Sequence, residues 1–186
     1  PYECTNVLIE GVTIVRSPFW EVHPVLCRNV TVQDVVIDSQ GPNNDGVDVE
    51  SCRSVVIRGC TFDDFLFTPQ YSVVERRDPS TIDLSCRFSE HILLKRPLVS
   101  ANMDTLIENC VMRVKYGAIT LGSDMTGGVR NVFVRDCTIG GPRLYFGLYI
   151  KTNSIRGGFA ENIYLRDLEI SNLTKEVVQC NFHRGE

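Results

Sequence analysis

One nine-residue pattern of alternating apolar and polar positions recurs along this chain of 186 residues. It reads Asn6-Val-Leu-Ile-Glu-Gly-Val-Thr-Ile14 and Asn29-Val-Thr-Val-Gln-Asp-Val-Val-Ile37. It returns as Ser54-Val-Val-Ile-Arg-Gly-Cys-Thr-Phe62 and Asp104-Thr-Leu-Ile-Glu-Asn-Cys-Val-Met112. The last copies are Asn131-Val-Phe-Val-Arg-Asp-Cys-Thr-Ile139 and Asn162-Ile-Tyr-Leu-Arg-Asp-Leu-Glu-Ile170. The starts lie 23, 25, 50, 27 and 31 residues apart, so the step of 50 predicts one further, degraded copy at Ser80–Phe88. Alternation marks strands with one buried face, and the polar pair inside each copy marks a bend between two of them. Asn at the head of four copies suits a corner, since Asn tolerates left-handed backbone. Helical periodicity is absent. A repeat of about 25 residues built of short strands predicts a parallel β-helix. About seven rungs stacked some 4.8 Å apart would make a rod of roughly 33 Å.

The expected organisation is one all-β, single-stranded solenoid domain over residues 1–186, with an irregular insertion over 65–102 in one rung. His91–Leu94 in that insertion reads as an extra strand. Such an insertion projects from the rod and often walls a groove. The tail, Glu176–His183, reads as another strand. Uncapped terminal rungs expose strand edges, so end-to-end self-association is an expectation.

The eight cysteines follow the repeat. Apart from the step from Cys52 to Cys60, they recur every 23 to 27 residues up to Cys137, with Cys86 in the degraded copy. Cysteine is small and readily buried, so a stack of free thiols is favoured over a disulfide framework. Nothing in the spacing suits a metal, and no cofactor is expected. A net charge of −4 with interspersed signs argues against a general nucleic-acid or membrane-surface binder. No apolar run approaches a membrane span, and there is no signal-peptide pattern.

Chemistry concentrates in Asn43-Asn44-Asp45-Gly46-Val47-Asp48. By itself this is an Asx-rich turn or an acidic site on a rigid scaffold. Around it stand Ser17-Pro-Phe-Trp20, His23-Pro24, Gly41–Gly46, Gly122-Ser123, Gly127–Asn131, Ile150–Asn153 and Arg156–Gly158. In that order they resemble glycoside hydrolase family 28, the polygalacturonases and relatives that hydrolyse pectin. The resemblance implies a right-handed parallel β-helix, of which this chain corresponds to the central rungs. It implies an acidic, pectin-like polysaccharide partner and a secreted or periplasmic location. It also implies inverting hydrolysis, with one carboxylic acid protonating the leaving oxygen and other carboxylates activating water.

Residue by residue, the resemblance carries over unevenly. Asp45 falls on a catalytic carboxylate. Asp63 and Asp64 become the family's Asp pair if three residues are deleted; aligned without a gap, that pair falls on Leu66 and Phe67. Both alignments stand. Tyr116 occupies the position of the family's His, and Tyr149 that of its Arg. Lys151 is retained. A tyrosine hydroxyl, titrating near pH 10, does not replace an imidazole near neutrality. The expected site is therefore Asp45, Asp63 and Asp64 as carboxylates, with Asn43, Asp48, Tyr116, Tyr149 and Lys151 holding substrate. Weak or lost hydrolysis is the expectation, the alternative being a silent β-helix that binds carbohydrate or serves as an engineered structural scaffold. Asn29-Val-Thr31 and Asn172-Leu-Thr174 fit the glycosylation acceptor pattern, the first inside a repeat strand.

Overall fold

The computed structural model describes residues 1–39, 44–63, 90–96 and 102–183. Fifteen strands and no helix occur among them. β1 (Thr5–Glu10) and β2 (Thr13–Val15) lie in the first coil. The second holds β3 (Arg28–Gln33), β4 (Val36–Asp38) and β5 (Val47–Glu50), and the third β6 (Arg53–Arg58), β7 (Thr61–Asp63) and β8 (Glu90–Arg96). β9 (Asn102–Glu108), β10 (Val111–Arg113) and β11 (Gly117–Met125) form the fourth. The fifth has β12 (Val129–Gly140) and β13 (Phe146–Lys151), and the sixth β14 (Ala160–Ile170) and β15 (Val178–Asn181).

Every coil lies on the next by parallel pairing. The first face runs β1-β3-β6-β9-β12-β14. The second runs β2-β4-β7-β10 and on through the far ends of β12 and β14. The third runs β5-β8-β11-β13-β15. This is a right-handed parallel β-helix, the sense that parallel crossovers take. The register puts like on like: Ile9, Val32, Ile57, Ile107, Val134 and Leu165 form one inward row of the first face. Ile14, Ile37, Phe62, Met112, Ile139 and Ile170 line the second. The middle members of both rows are sealed, whereas Ile9, Ile14, Leu165 and Ile170, in the terminal coils, are only partly buried.

Six coils stack, one fewer than the repeat predicts. β6 pairs directly with β9, Val55 against Thr105 and Ile57 against Ile107, so no rung intervenes. The copy expected at Ser80–Phe88, with Cys86, lies outside the described residues. The strand expected at His91–Leu94 is β8, the third coil's own contribution to the third face, seated between β5 and β11.

The corners are where Asn was expected. Asn6, Asn29, Ser54, Asp104, Asn131 and Asn162 all have φ between 54° and 60°. Left-handed backbone costs an ordinary residue about 1–2 kcal/mol, and Asn and Asp accept it most readily. Their side chains also join coils, as Asn29 Nδ2 donates to Asn6 Oδ1 at 2.7 Å. Asn162 donates to Asn131 at 3.0 Å, and Asn131 to Asp104 at 2.8 Å. The second bend is also left-handed, at Gly11, Asp34, Gly59, Asn109, Asp136 and Asp167. Here a row of alternating character runs outward, with Arg58 donating to Gln33 and Arg135 to Glu108 at 2.6 Å.

The seven cysteines among the described residues are free thiols, as the repeat implied. Cys4, Cys27 and Cys52 stack before the first face; the Cys27 backbone N–H donates to Cys52 Sγ at 3.3 Å. Cys60, Cys110 and Cys137 occupy equivalent bend positions of successive coils. Cys27, Cys52, Cys60, Cys110 and Cys137 are buried, while Cys4 and Cys180 are exposed. A thiol reagent should therefore modify Cys4 and Cys180 promptly and the five buried thiols only on unfolding. Prompt reaction of all seven would contradict this packing.

Burial pushes the Cys52 thiol up to about 12, against about 8.5 for a free cysteine. The folded state keeps this proton at pH values where the unfolded chain has lost it. Its contribution is complete below about pH 8.5 and is lost as pH rises toward 12, by at most about 1.4 kcal/mol per pH unit. Urea midpoints should fall between about pH 8 and pH 10, and Cys52→Ala should flatten the decline.

Candidate functional site

The third face positions the candidate residues. Alternation turns Val47 and Val49 inward and sets Asp48 on the outward side of β5. In register with Asp48 lie Leu93, Thr120, Tyr149 and Gln179. One step along the strands, Glu50 pairs with Lys95, and Lys151 with Asn181. Gly122 is required in this second row. A Cβ there would stand 1.8 Å from the Lys151 carbonyl oxygen, and its φ is +102°. The glycine lets β11 close on β13 and so fixes where Lys151 sits.

Asp45 lies in the turn that enters β5. Its carbonyl accepts from the Glu21 N–H at 3.1 Å, and the Gly46 carbonyl from the Val22 N–H. Asn44 anchors the turn: its Nδ2 lies 2.7 Å from the Ser17 carbonyl oxygen, 2.7 Å from Ser39 Oγ and 3.0 Å from Glu21 Oε1. The Ser17 N–H in turn donates to Ser39 Oγ at 2.7 Å. The Ser-Pro-Phe-Trp stretch thus supports the Asp45 turn from the coil before it. Phe19, Trp20 and His23 stack beside it, and His23 Nε2 lies 3.1 Å from Glu50 Oε2. Asp45 and Asp48 are both buried, Asp48 completely.

Asp63 occupies a different surface. It ends β7 on the second face, in register with Asp38 and Arg113, whose guanidinium lies 3.2 Å from its carboxylate. The pair lines an open cleft with Gly140, Pro142, Asn172 and Thr174, and no third-face strand contributes to it. Asp45 stands beyond the following turn, at the start of the third face. Asp64 and Asn43 lie outside the described residues. One carboxylate-bearing residue was not singled out from the sequence. Glu90 heads β8 and pairs with Gly117, in the coil between those of Asp45 and Tyr116. Neither repeat spacing nor motif marks it; only the strand register does.

Tyr116 and Tyr149 form an aromatic cluster with Phe146 and Tyr145. Tyr116 meets Tyr145, Phe146 and Tyr149 edge-on at 5.4, 5.6 and 5.8 Å, and Phe146 stacks on Tyr149 at 4.6 Å. Tyr149 is 2% exposed despite its outward register position. Lys151 Nζ lies 5.5 Å from the Tyr149 ring and is itself buried, at 6% exposure. No group of three His, Cys, Asp or Glu among the described residues is arranged to hold a metal.

The aromatic packing makes a stability prediction. Tyr149→Ala should cost about 3 kcal/mol by urea or thermal unfolding, as for other buried aromatics. Tyr149→Phe should cost less than about 1.5 kcal/mol, because the ring contacts remain. Equal losses for the two variants would place the weight on the hydroxyl instead.

Comparison with known proteins divides the chain. Residues 2–65 match the model of glycosyl hydrolases family 28. Residues 59–121 match that of the IMP dehydrogenase / GMP reductase domain. Asp63 and Asp64 lie in both stretches. A probable polygalacturonase of Vitis vinifera is 28% identical over 171 residues, covering 90% of this chain and 31% of that protein. An inosine-5'-monophosphate dehydrogenase of Thermoplasma acidophilum is 41% identical over 66 residues, 34% of this chain and 13% of that protein. The crystal structure of a hyperthermoactive exopolygalacturonase from Thermotoga maritima shares the fold with a TM-score of 0.78 and 32% identity. It aligns with 97% of this chain and 37% of its own. The chain spans about a third of the length of the polygalacturonases it matches. With a family 28 match over its first coils and polygalacturonases similar to it across most of its length, the chain has a β-helix fold like that of the polygalacturonases of glycosyl hydrolase family 28.

Proposed function

We propose that this chain holds an acidic, pectin-type polyuronide along its third face and hydrolyses it weakly or not at all. The observation that carries this reading is the aromatic cluster. Where the resemblance expects an imidazole and a guanidinium, Tyr116 and Tyr149 are packed against Phe146 and each other. Rings buried in this way offer no proton carrier and no permanent cation. The coil that should bring the carboxylate pair runs through the stretch similar to IMP dehydrogenase, and its third-face strand is Glu90–Arg96. Asp63, the described member of the candidate pair, is held by Arg113 on the second face. Among the described residues this leaves Asp45 as the candidate carboxylate, with Lys151 to hold substrate, and losing members of such a constellation typically costs orders of magnitude in rate.

The stretch similar to IMP dehydrogenase supports no second reading of the same weight. It corresponds to 13% of the Thermoplasma protein, and its described strands are β-helix strands paired within this fold. Its described residues contribute β7, β8, β9, β10 and the start of β11 to the solenoid.

Reducing-sugar release from polygalacturonate should be indistinguishable from background for the protein and for Asp45→Asn alike. Retention on immobilised polygalacturonate should persist in both. A release rate that falls a hundredfold or more, roughly 2.7 kcal/mol of transition-state stabilisation, in Asp45→Asn would overturn the silent reading. Such a fall would establish Asp45 as a working carboxylate.

A further inference from the structure

We propose that Lys175 is a carboxylate-binding subsite for a uronate unit of the bound polysaccharide. This rests on the polyuronide reading above and assigns one of its contacts. Lys175 lies in the turn that enters β15, in the sixth coil. Its Nζ stands 4.5 Å from the Tyr145 ring centroid and 5.6 Å from that of Phe146. Two aromatic faces therefore hold the ammonium in place. A ring quadrupole attracts a cation without neutralising it, so the charge remains to be met by an anion.

Cations on the first and second faces are committed to carboxylates. Arg113 pairs with Asp63, Arg130 with Glu161, Arg135 with Glu108 and Arg166 with Asp167. No carboxylate among the described residues forms an ion pair with Lys175, which is exposed. Its place in the solenoid gives the ligand. The turns entering β5, β11, β13 and β15 carry Asp45, Tyr116, Tyr145 and Lys175 along one edge of the third face. From the second coil to the sixth this edge is about 19 Å long at the usual strand spacing. A sugar chain lying along it would reach Tyr145 and Lys175 together. An apolar sugar face suits the ring, and a carboxylate suits the ammonium. The position thus selects an acidic unit over a neutral one.

The test compares binding of unesterified and fully methyl-esterified oligogalacturonates to the protein and to Lys175→Gln and Lys175→Arg. Esterification removes the carboxylate charge and keeps the sugar. Lys175→Gln should weaken binding of the unesterified ligand roughly three- to tenfold, the size of one exposed ionic contact. It should leave the esterified ligand and the thermal midpoint unchanged, and lower the salt sensitivity of binding. Lys175→Arg should retain most of the affinity. If the protein binds the unesterified ligand and Lys175→Gln binds it equally well, the subsite is overturned and the polyuronide reading survives. If the protein binds neither ligand, the polyuronide reading fails and the subsite fails with it.

Discussion

In-register parallel pairing is the constraint on which the rest of this structure depends. Each residue meets its own counterpart one coil away, about 4.8 Å off. A choice made at one position is therefore tested against the same choice above and below. Apolar positions profit, which yields the unbroken rows through Ile57 and Phe62. Corners profit when each coil turns in the same left-handed way, and the amides of Asn6, Asn29, Asn131 and Asn162 then bond along the stack. Like charges would suffer. The outward row answers with Glu10, Gln33, Arg58, Glu108 and Arg135, in which neighbours bond instead of repelling, until Arg166 repeats the sign of Arg135 and turns to Asp167.

The same constraint frees the turns. Once β6 has found β9, the length of chain between them is immaterial to the stack, since loop-closure entropy grows only slowly with length. A stretch similar to a wholly different family can therefore run through the third and fourth coils, provided it returns its strands in register. β8 meets that condition by pairing with β5 on one side and β11 on the other. Scaffold and chemistry are thereby uncoupled. Asn44, Ser17 and Gly122 still fix the turns and the close strand approach. Tyr116 and Tyr149 meanwhile pack against each other and Phe146.

This uncoupling explains what was legible in the sequence. The first two faces carry clean alternation and left-handed corners, so Asn29 or Gly59 announces its geometry directly. The third face is harder. Asp48 and Tyr149 sit at outward positions yet are buried, so their strands lack the apolar-polar contrast that marks an exposed side. The step of 50 residues invited a seventh rung, because periodicity cannot tell two coils from one long coil. Asp63 read as a neighbour of Asp45 by motif, but the turn after the second face separates them, and only register reveals the Arg113 partnership. Glu90 was invisible for the same reason.

If the third face holds an acidic polysaccharide as proposed, electrostatics decides how it does so. The chain carries a net charge of −4, so a polyanion gains nothing from the average field. Attraction has to be local. Lys151 is buried against Tyr149, and Lys175 is seated on Tyr145 and Phe146. On the proposed reading the aromatic cluster has two consequences at once. It fills the positions where the resemblance expects an imidazole and a guanidinium, and it seats the exposed Lys175 ammonium where an acidic guest would meet it. On this proposal binding and turnover draw on different residues of one face, so the loss of one does not entail the loss of the other.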